Sequence, residues 1–115
     1  MILEIRTFRL KPGRRGDFLD LTRLRSAPLL ATYGIDVVDV GAPLVDEEPW
    51  EEAYVMRAFA SLAERERLEA AFYGGDDWRL DLREPVMSCV ESYHTVVIEV
   101  ADDVVGALTR PIAQL

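Results

Sequence analysis

Two arginines, Arg6 and Arg57, are the strongest candidates for chemistry in this chain, because each lies in a run of residues typical of a β-strand. An arginine near the middle of a sheet is costly unless its charge is paired. Structural ion pairs across the strands are therefore the preferred interpretation, and the candidate partners are Glu4, Glu91 and Glu99. The functional alternative is a bidentate clamp for a carboxylate or an enolate-like anion.

His94 is the only histidine of the chain and the next candidate. Alternation along its strand places it on the same face as Val96 and Ile98, which we predict to be the face that packs against helices. A hydrogen-bonded core or edge histidine is therefore favoured over a general base. His94 is not spaced with carboxylates as metal ligands are, so we predict no metal site. Haem ligation by His94 is an alternative without support in the sequence, and the cofactor stays unassigned.

Aromatic residues complete the set of candidates. Tyr54, Tyr73 and Trp78 are expected near the end of the second helix, in core or interface packing. A pocket lid hinged at Gly74-Gly75 is the alternative. The sequence contains no glycine-rich phosphate loop and no nucleophile elbow, so catalytic residues, and whether the chain is an enzyme, remain open. The candidate ligand-binding residues are Glu4, Arg6, Phe8, Tyr54, Arg57, Trp78 and His94.

The elements that position these residues follow the order β-α-β-β-α-β, which is typical of an α+β, ferredoxin-like sandwich with one antiparallel sheet. Ser61 and Glu64 form a capping box at the start of the second helix, and Gly74-Gly75 can end it in a left-handed conformation. The predicted strands are residues 2–10, 35–45, 54–59 and 91–100. The predicted helices are 15–33 with a kink or break at Pro28, 61–74, and a stretch from 78 divided near Pro85.

The strands are apolar on both faces, although the helices can cover only one. In the first strand Ile2 and Phe8 oppose Leu3 and Ile5. A large exposed apolar patch usually marks an interface. We therefore expect a homodimer in which two open sheets face each other and form a dimeric α/β barrel. The C-terminal segment, 101–115, is predicted to be a short helix and tail, too short and too polar to cover the open face alone.

The bulk properties exclude several classes of protein. The chain has 115 residues, enough for one domain, and a formal net charge of -8, which disfavours binding to nucleic acid or to anionic lipid. Cys89 is the only cysteine, so an internal disulfide is excluded. The N-terminal residues do not resemble a signal peptide, and no segment is apolar enough to span a membrane. We therefore expect a cytoplasmic protein.

Seven segments of the sequence carry a resemblance to a known family: EIRTFRLKPG (4–13), LL (29–30), YGI (33–35), MRAFASLAER (56–65), FYG (72–74), DWR (77–79) and ESYH (91–94). On these segments the chain resembles the NIPSNAP family, a branch of the dimeric α/β-barrel group. This resemblance implies a ferredoxin-like domain over residues 1–100 and a homodimer, but no agreed activity. Related barrels include cofactor-free or haem-degrading monooxygenases, dehydratases and binding proteins.

A small-molecule pocket between the sheet and the helices is the function that these observations favour. Glu4 and Arg6 are polar residues among apolar strand neighbours, as in mostly apolar sites with a few fixed polar groups. The first alternative is a cofactor-independent monooxygenase-like or isomerase-like enzyme. The second is a non-catalytic interaction module in which the same residues fix the sheet register and the dimer.

Overall fold

The fold is an α+β sandwich, and the computed structural model describes residues 1–111. Four antiparallel strands form one sheet in the order β2-β3-β1-β4, with most of the helical segments packed on one face. This is the predicted ferredoxin-like topology. The elements are β1 (Ile2–Leu10), α1 (Arg15–Leu21), π1 (Thr22–Ser26), α2 (Ala27–Thr32), β2 (Asp36–Gly41), β3 (Glu51–Phe59), α3 (Leu62–Gly74), π2 (Asp77–Leu82), α4 (Arg83–Met87), β4 (Val90–Glu99) and α5 (Asp102–Leu108).

Strand β1 lies between β3 and β4, and its register decides which side chains meet. Glu4 pairs with Arg57 of β3 on one side and with Val97 of β4 on the other. Arg6 pairs with Val55 and Thr95 in the same way. Because paired residues point to the same face of a sheet, these side chains all lie under the helices. The register therefore brings both candidate arginines and Glu4 to one side.

Two apolar clusters fill the space between the sheet and the helices. Phe8 of β1 packs against Phe18 of α1 with a ring-centroid distance of 4.7 Å. In the second cluster Phe72 of α3 packs with Ile2 and Leu30. Phe18 and Phe72 are each buried almost completely, and burying one such side chain contributes about 1.5–3 kcal/mol. The helices are therefore packed against both ends of the sheet, and the space between the two clusters is available for the candidate site.

The two helical segments that contain a proline each have a wide turn, with a hydrogen bond between residues five apart. In π1 the Ala27 N–H donates to the carbonyl of Thr22, and in π2 the Arg83 N–H donates to the carbonyl of Trp78. We expected interruptions at the prolines, and both begin earlier, because a proline ring clashes with the carbonyl four residues before it. For Pro28 the carbonyl four residues earlier lies in π1, and for Pro85 it lies in π2. The wide turns relieve these clashes.

Several boundaries differ from the prediction. Strand β2 ends at Gly41 instead of Val45, two residues before Pro43, which has no N–H for the ladder. It is an edge strand, and its bulge lies near Val38. Strand β3 begins at Glu51, because pairing with β1 extends that far.

The ends of the second helix show one prediction confirmed and one corrected. The Ser61 hydroxyl accepts a hydrogen bond from the Glu64 N–H, so the predicted cap is confirmed. Gly75 is extended, with φ of -84°, so the predicted left-handed stop is wrong. Glycine is needed there for space, because a Cβ would lie 3.1 Å from the Tyr33 hydroxyl.

The second face of the sheet is only half open. Helix α5 lies against β2, and Val105 packs on the buried residues Leu3, Val38 and Ala58. Arg110 then binds the Asp39 carboxylate through Nε and Nη2, both at 2.8 Å. The expectation that the C-terminal segment cannot cover this face is therefore wrong for the half formed by β2 and β3. The last part of the predicted tail, 112–115, lies outside the described residues.

The other half of this face remains uncovered within the chain. Val96 and Ile98 of β4 are 43% and 40% exposed to solvent. Thr7 and His94, which pair across β1 and β4, are exposed beside them.

Candidate functional site

A cavity of about 310 Å³ lies between the sheet and the helices. Its walls are largely apolar, and at one end the side chains of Arg6, Arg57, Glu69 and Tyr73 converge. The wide turns contribute Thr22 and Ser26 from π1 and Trp78 from π2. The apolar walls are formed by Phe8, Phe18, Leu30, Val55, Phe72 and Val86. This arrangement is typical of small-molecule sites, which combine apolar surface with a few fixed polar groups.

Glu4 is the centre of the polar network behind the cavity. Its side chain is completely buried. Oε1 accepts hydrogen bonds from Arg65 Nε (3.1 Å) and Nη2 (2.9 Å), and Arg6 Nη2 lies 3.5 Å away. Oε2 lies 3.6 Å from Arg57 Nη1. One carboxylate therefore holds three guanidinium groups in place, and the ion pair predicted for both arginines is confirmed with Glu4 as the partner.

The Tyr73 hydroxyl joins the two arginines on the cavity side. It accepts hydrogen bonds from Arg57 Nη1 at 2.6 Å and from Arg6 Nη1 at 3.0 Å. Arg6 is also fixed by a bond from Nε to the Thr95 hydroxyl at 2.9 Å. With both acceptor positions used, the Tyr73 O–H proton is directed to a further partner. Two cations next to the hydroxyl make that proton a strong donor.

Glu69 forms a pair of carboxyl groups with Glu4. Burial raises the pKa of Glu69 to about 7, and the hydrogen bond to Glu4 and the charge of Glu4 add to this effect. Burial acts in the same direction on Glu4, but the hydrogen bond with Glu69 and the charges of Arg57 and Arg6 outweigh it, so the pKa of Glu4 lies below 4.5. The two carboxyl groups therefore titrate in opposite directions, with Glu4 ionised and Glu69 able to carry the proton.

Four buried polar atoms at the cavity or directly behind it have no hydrogen-bond partner among the described residues. They are Ser26 Oγ, Arg57 Nε, Glu69 Oε1 and, behind the cavity, Glu4 Oε2. Unpaired buried polar atoms are uncommon, because each costs about 1–3 kcal/mol. The first three belong to residues that line the cavity. One hydroxyl, one cationic donor and one carboxyl oxygen are therefore left without a partner at the cavity wall.

Aromatic rings form the wall beside the polar end. Tyr73 and Trp78 meet edge to face with centroids 5.1 Å apart, and Phe72 contacts both. The Arg6 guanidinium lies 5.3 Å from the ring centroid of Tyr93, which also lines the cavity. Flat, aromatic walls beside cationic groups favour a ligand that is planar and negatively charged.

The structure brings some of the predicted site residues together and separates others. Arg6, Phe8, Arg57 and Trp78 line the cavity, and Glu4 lies directly behind it. Tyr54 is on the opposite face, where its hydroxyl donates to Asp39 at 2.9 Å, so its placement with the other aromatic residues is wrong.

The face predicted for His94 is also wrong. Its partner in the ladder is Thr7, and both side chains are exposed on the face away from the cavity. The apolar residues Val96 and Ile98 share that face, and their hydrophobicity suggested helix packing.

Glu69, Arg65 and Ser26 are site residues that the sequence interpretation missed. The alternating acidic and basic residues 64–67 have the pattern of a solvent-exposed helix face. That holds for Glu64 and Arg67, which pair with each other at the surface, but Arg65 points inward to Glu4. Helical spacing was the signal that could have identified Arg65 and Glu69 as inward-facing residues. Positions 65, 68, 69, 72 and 73 are three or four residues apart and form one helix face. Ser26 could not be identified, because its position depends on a wide turn.

The residues present do not suit a haem in this cavity. His94 lies on the other face of the sheet, and the cavity is at the small end of the range of about 300–1,000 Å³ found for ligand pockets. Among residues 1–111, no group of three His, Cys, Asp or Glu side chains is placed to hold a metal ion. Over the same residues, no helix has the length and apolar character needed to cross a membrane.

Comparison with known proteins identifies relatives of the same fold. An uncharacterised NIPSNAP domain protein from Burkholderia xenovorans is 15% identical, with a TM-score of 0.77 over 89% of this chain and 96% of that one. A NIPSNAP family protein from Agrobacterium tumefaciens is 19% identical, with a TM-score of 0.76 over 88% and 93%. A putative antibiotic biosynthesis monooxygenase from Nitrosomonas europaea is 16% identical, with a TM-score of 0.64 over 87% and 98%.

These identities are low, so the structural similarity establishes the fold alone. No curated protein is significantly similar to the chain in sequence. The sequence model of the NIPSNAP family, however, matches residues 3–101, which include all of the sheet but its first residue and all the segments that line the cavity. The chain therefore belongs to the NIPSNAP family.

Proposed function

We propose that this protein binds a small, planar, negatively charged molecule in the cavity between its sheet and its helices. The observation that carries the proposal is the convergence of Arg6, Arg57 and Tyr73 at one end of an otherwise apolar cavity of about 310 Å³. A carboxylate or enolate oxygen placed there accepts from the Tyr73 hydroxyl and from Arg57 Nε, which has no partner in the described part of the chain. The aromatic wall covers the rest of the ligand.

The charges of the cluster support an anionic ligand. Arg6, Arg57 and Arg65 carry three positive charges, and Glu4 is the carboxylate that is ionised at neutral pH because its pKa is lowered. When Glu69 is ionised, it neutralises part of the remaining positive charge. A buried cluster with excess positive charge is costly, and an anion in the cavity offsets that cost. A neutral ligand of the same shape does not.

A pair of probes that differ in one carboxylate tests this proposal. Phenylpyruvate carries an aromatic ring, a ketone and a carboxylate, whereas phenylacetone has a methyl group in place of the carboxylate. We expect calorimetry to show binding of phenylpyruvate at least about tenfold tighter than that of phenylacetone, which corresponds to about 1.4 kcal/mol. Failure of both compounds to bind, or equal binding of the two, contradicts the proposal.

Matched arginine variants show whether the cavity is responsible. Arg6→Met removes a guanidinium from the cavity, and the control Arg67→Met removes one from the surface of α3, where Arg67 pairs with Glu64. Only Arg6→Met should abolish the preference for phenylpyruvate. If Arg6→Met lowers stability and no compound of the pair binds the parent protein, the residues have the structural role of a non-catalytic interaction module.

We also propose that the protein is a homodimer in which a second copy covers the uncovered half of the sheet. The apolar strip formed by Ile5, Val96 and Ile98 supports this, since it continues the buried cluster beneath α5. The β1 and β4 residues on this face include no carboxylate, and Glu47 beside them is paired with Arg9 at 3.6 Å. These strand residues are Leu3, Ile5, Thr7, Arg9, Ser92, His94, Val96 and Ile98. In a chain of net charge -8, this is a surface that two copies can join without like-charge repulsion.

Light scattering after gel filtration tests the dimer. We expect a dimer for the parent protein at micromolar concentration and a monomer for Val96→Asp. Leu44→Asp is the matched control, because Leu44 is fully exposed in the loop after β2 and should leave the dimer intact. A folded monomer for the parent protein contradicts the proposal.

The cytoplasm is the compartment that we propose for this protein. The single cysteine, Cys89, is a buried free thiol, which suits a reducing compartment. Fractionation of native cells with a specific antibody tests this, and recovery outside the cytoplasmic fraction contradicts it.

A further inference from the structure

The cavity contains a group that binding alone does not use. Glu69 lies at its polar end with a side chain only 14% exposed, and Oε1 has no donor among the described residues. An ionised carboxylate normally accepts several hydrogen bonds when it is buried. An oxygen without donors beside a ligand site has free lone pairs that can take a proton.

The surroundings of Glu69 stabilise both of its protonation states. When Glu69 is ionised, Arg65 Nη2 at 3.4 Å and Arg57 Nη1 at 3.9 Å balance its charge. When it is protonated, Glu4 accepts its proton in a hydrogen bond. The remaining charged or titratable neighbours are Arg6 and Tyr73, which point to the same end of the cavity. A group that gains and loses a proton near neutral pH suits general acid–base catalysis.

The same end of the cavity also holds the groups needed to stabilise an oxyanion. Arg57 Nη1 contacts both the Tyr73 hydroxyl, at 2.6 Å, and Glu69 Oε1, at 3.9 Å. A carbonyl oxygen bound to the Tyr73 proton would therefore lie at the same end of the cavity as Glu69. Fixed donors directed at a developing oxyanion are the largest single contribution in many enzymes.

We propose that Glu69 is a general base that removes a proton from the carbon next to the carbonyl group of a bound carbonyl carboxylate, so that the protein catalyses enolisation of aryl 2-oxo acids or related anions. This inference rests on the proposed binding function. The C–H bond breaks and its proton goes to Glu69 Oε1. The electron pair of that bond forms the C=C bond, and the carbonyl π pair moves to the oxygen as an enolate next to Tyr73 and Arg57. Return of the proton to carbon or oxygen completes keto–enol exchange without an oxidant or a metal.

Deuterium exchange of phenylpyruvate tests this step. In D₂O we expect the parent protein to accelerate the loss of the benzylic CH₂ signal in the proton NMR spectrum, and the rate to rise with pH and level off above about 7. Glu69→Gln should retain binding and lose at least about a hundredfold of the exchange rate. Glu66→Gln, on an exposed position of the same helix, is the matched control and should exchange at the parental rate.

The outcomes separate this inference from the binding proposal. If phenylpyruvate binds and its exchange is no faster than in buffer, the base is refuted and the binding function stands. If Glu69→Gln catalyses deuterium exchange at the parental rate, the assignment of Glu69 as the base is refuted. If phenylpyruvate does not bind, both proposals are refuted. Should Glu69→Gln fail to fold by circular dichroism, Glu69→Asp replaces it, with a reduced rate and an unchanged pH profile as the expected result.

Discussion

Replacing Glu69 by glutamine should change how the stability of this protein depends on pH. The folded state holds a proton on Glu69 up to a pKa of about 7, whereas the unfolded chain releases it near the ordinary value of 4.5. Between these values the folded state binds more protons than the unfolded state, so the free energy of unfolding falls as pH rises. Stability from this group is therefore fully present below 4.5 and is lost by the time pH passes 7.

The magnitude is set by the two pKa values. Each pH unit between them changes the free energy of unfolding by about 1.4 kcal/mol, which gives an upper limit of about 3 kcal/mol. Part of this is shared with Glu4, so we expect about 2 kcal/mol. Glu4 changes the free energy of unfolding in the opposite direction. Because its pKa is lowered, its contribution to stability is lost only as pH drops below 4.5. The two effects occupy different pH ranges and can be measured separately.

Urea unfolding at about pH 5 and about pH 8 is the assay. The parent protein should lose about 2 kcal/mol over this interval, and Glu69→Gln should lose less than about 1 kcal/mol because glutamine donates to Glu4 at every pH. Glu66→Gln controls for the removal of one negative charge from an acidic protein and should behave like the parent. Equal slopes for Glu69→Gln and the parent protein refute the assignment of the shared proton to Glu69.

Three further substitutions test other parts of the structure. Tyr73→Phe removes the acceptor of two guanidinium hydrogen bonds and should lower the free energy of unfolding by about 2 kcal/mol in urea. Gly41→Ala places a Cβ 2.9 Å from the Tyr54 hydroxyl and should lower the melting temperature, and Tyr54→Phe in the same chain should restore part of the loss. Ser61→Ala removes the cap on the Glu64 N–H and should cost about 1 kcal/mol in urea, and no change would contradict the cap.

Local patterns were sufficient to predict the order of strands and helices and an ion pair for the arginines, with Glu4 among three candidate partners. Alternation in β1 correctly placed Glu4, Arg6 and Phe8 on one face, because strand geometry alone determines it. Alternation in β4 does not say which face meets the helices when both are apolar. His94 was therefore assigned to the wrong side, and only the register with Thr7 settles its position.

Contacts between distant segments explain the remaining differences. Helix α5 was judged too polar to pack on the sheet, but Asp39 lies on β2, and its ion pair with Arg110 fixes the segment after α5 there. Arg65 looked like part of an exposed, charged face, because its buried partner Glu4 is 61 residues away in the chain. Ion pairs between distant residues leave no periodic pattern, so sequence spacing does not reveal them.

The wide turn π1 makes the shape of the interior depend on the number of residues in one short segment. A turn closed by the Ala27-to-Thr22 hydrogen bond holds one residue more than an ordinary α-turn. Deleting a single residue there would restore the usual pitch while α1 and α2 kept their orientations, because the wide turn already absorbs the extra residue. The wide turn that carries Thr22 and Ser26 to the cavity would then be lost. The gain or loss of one amino acid in this segment can thus change the volume of the cavity without any substitution on the sheet.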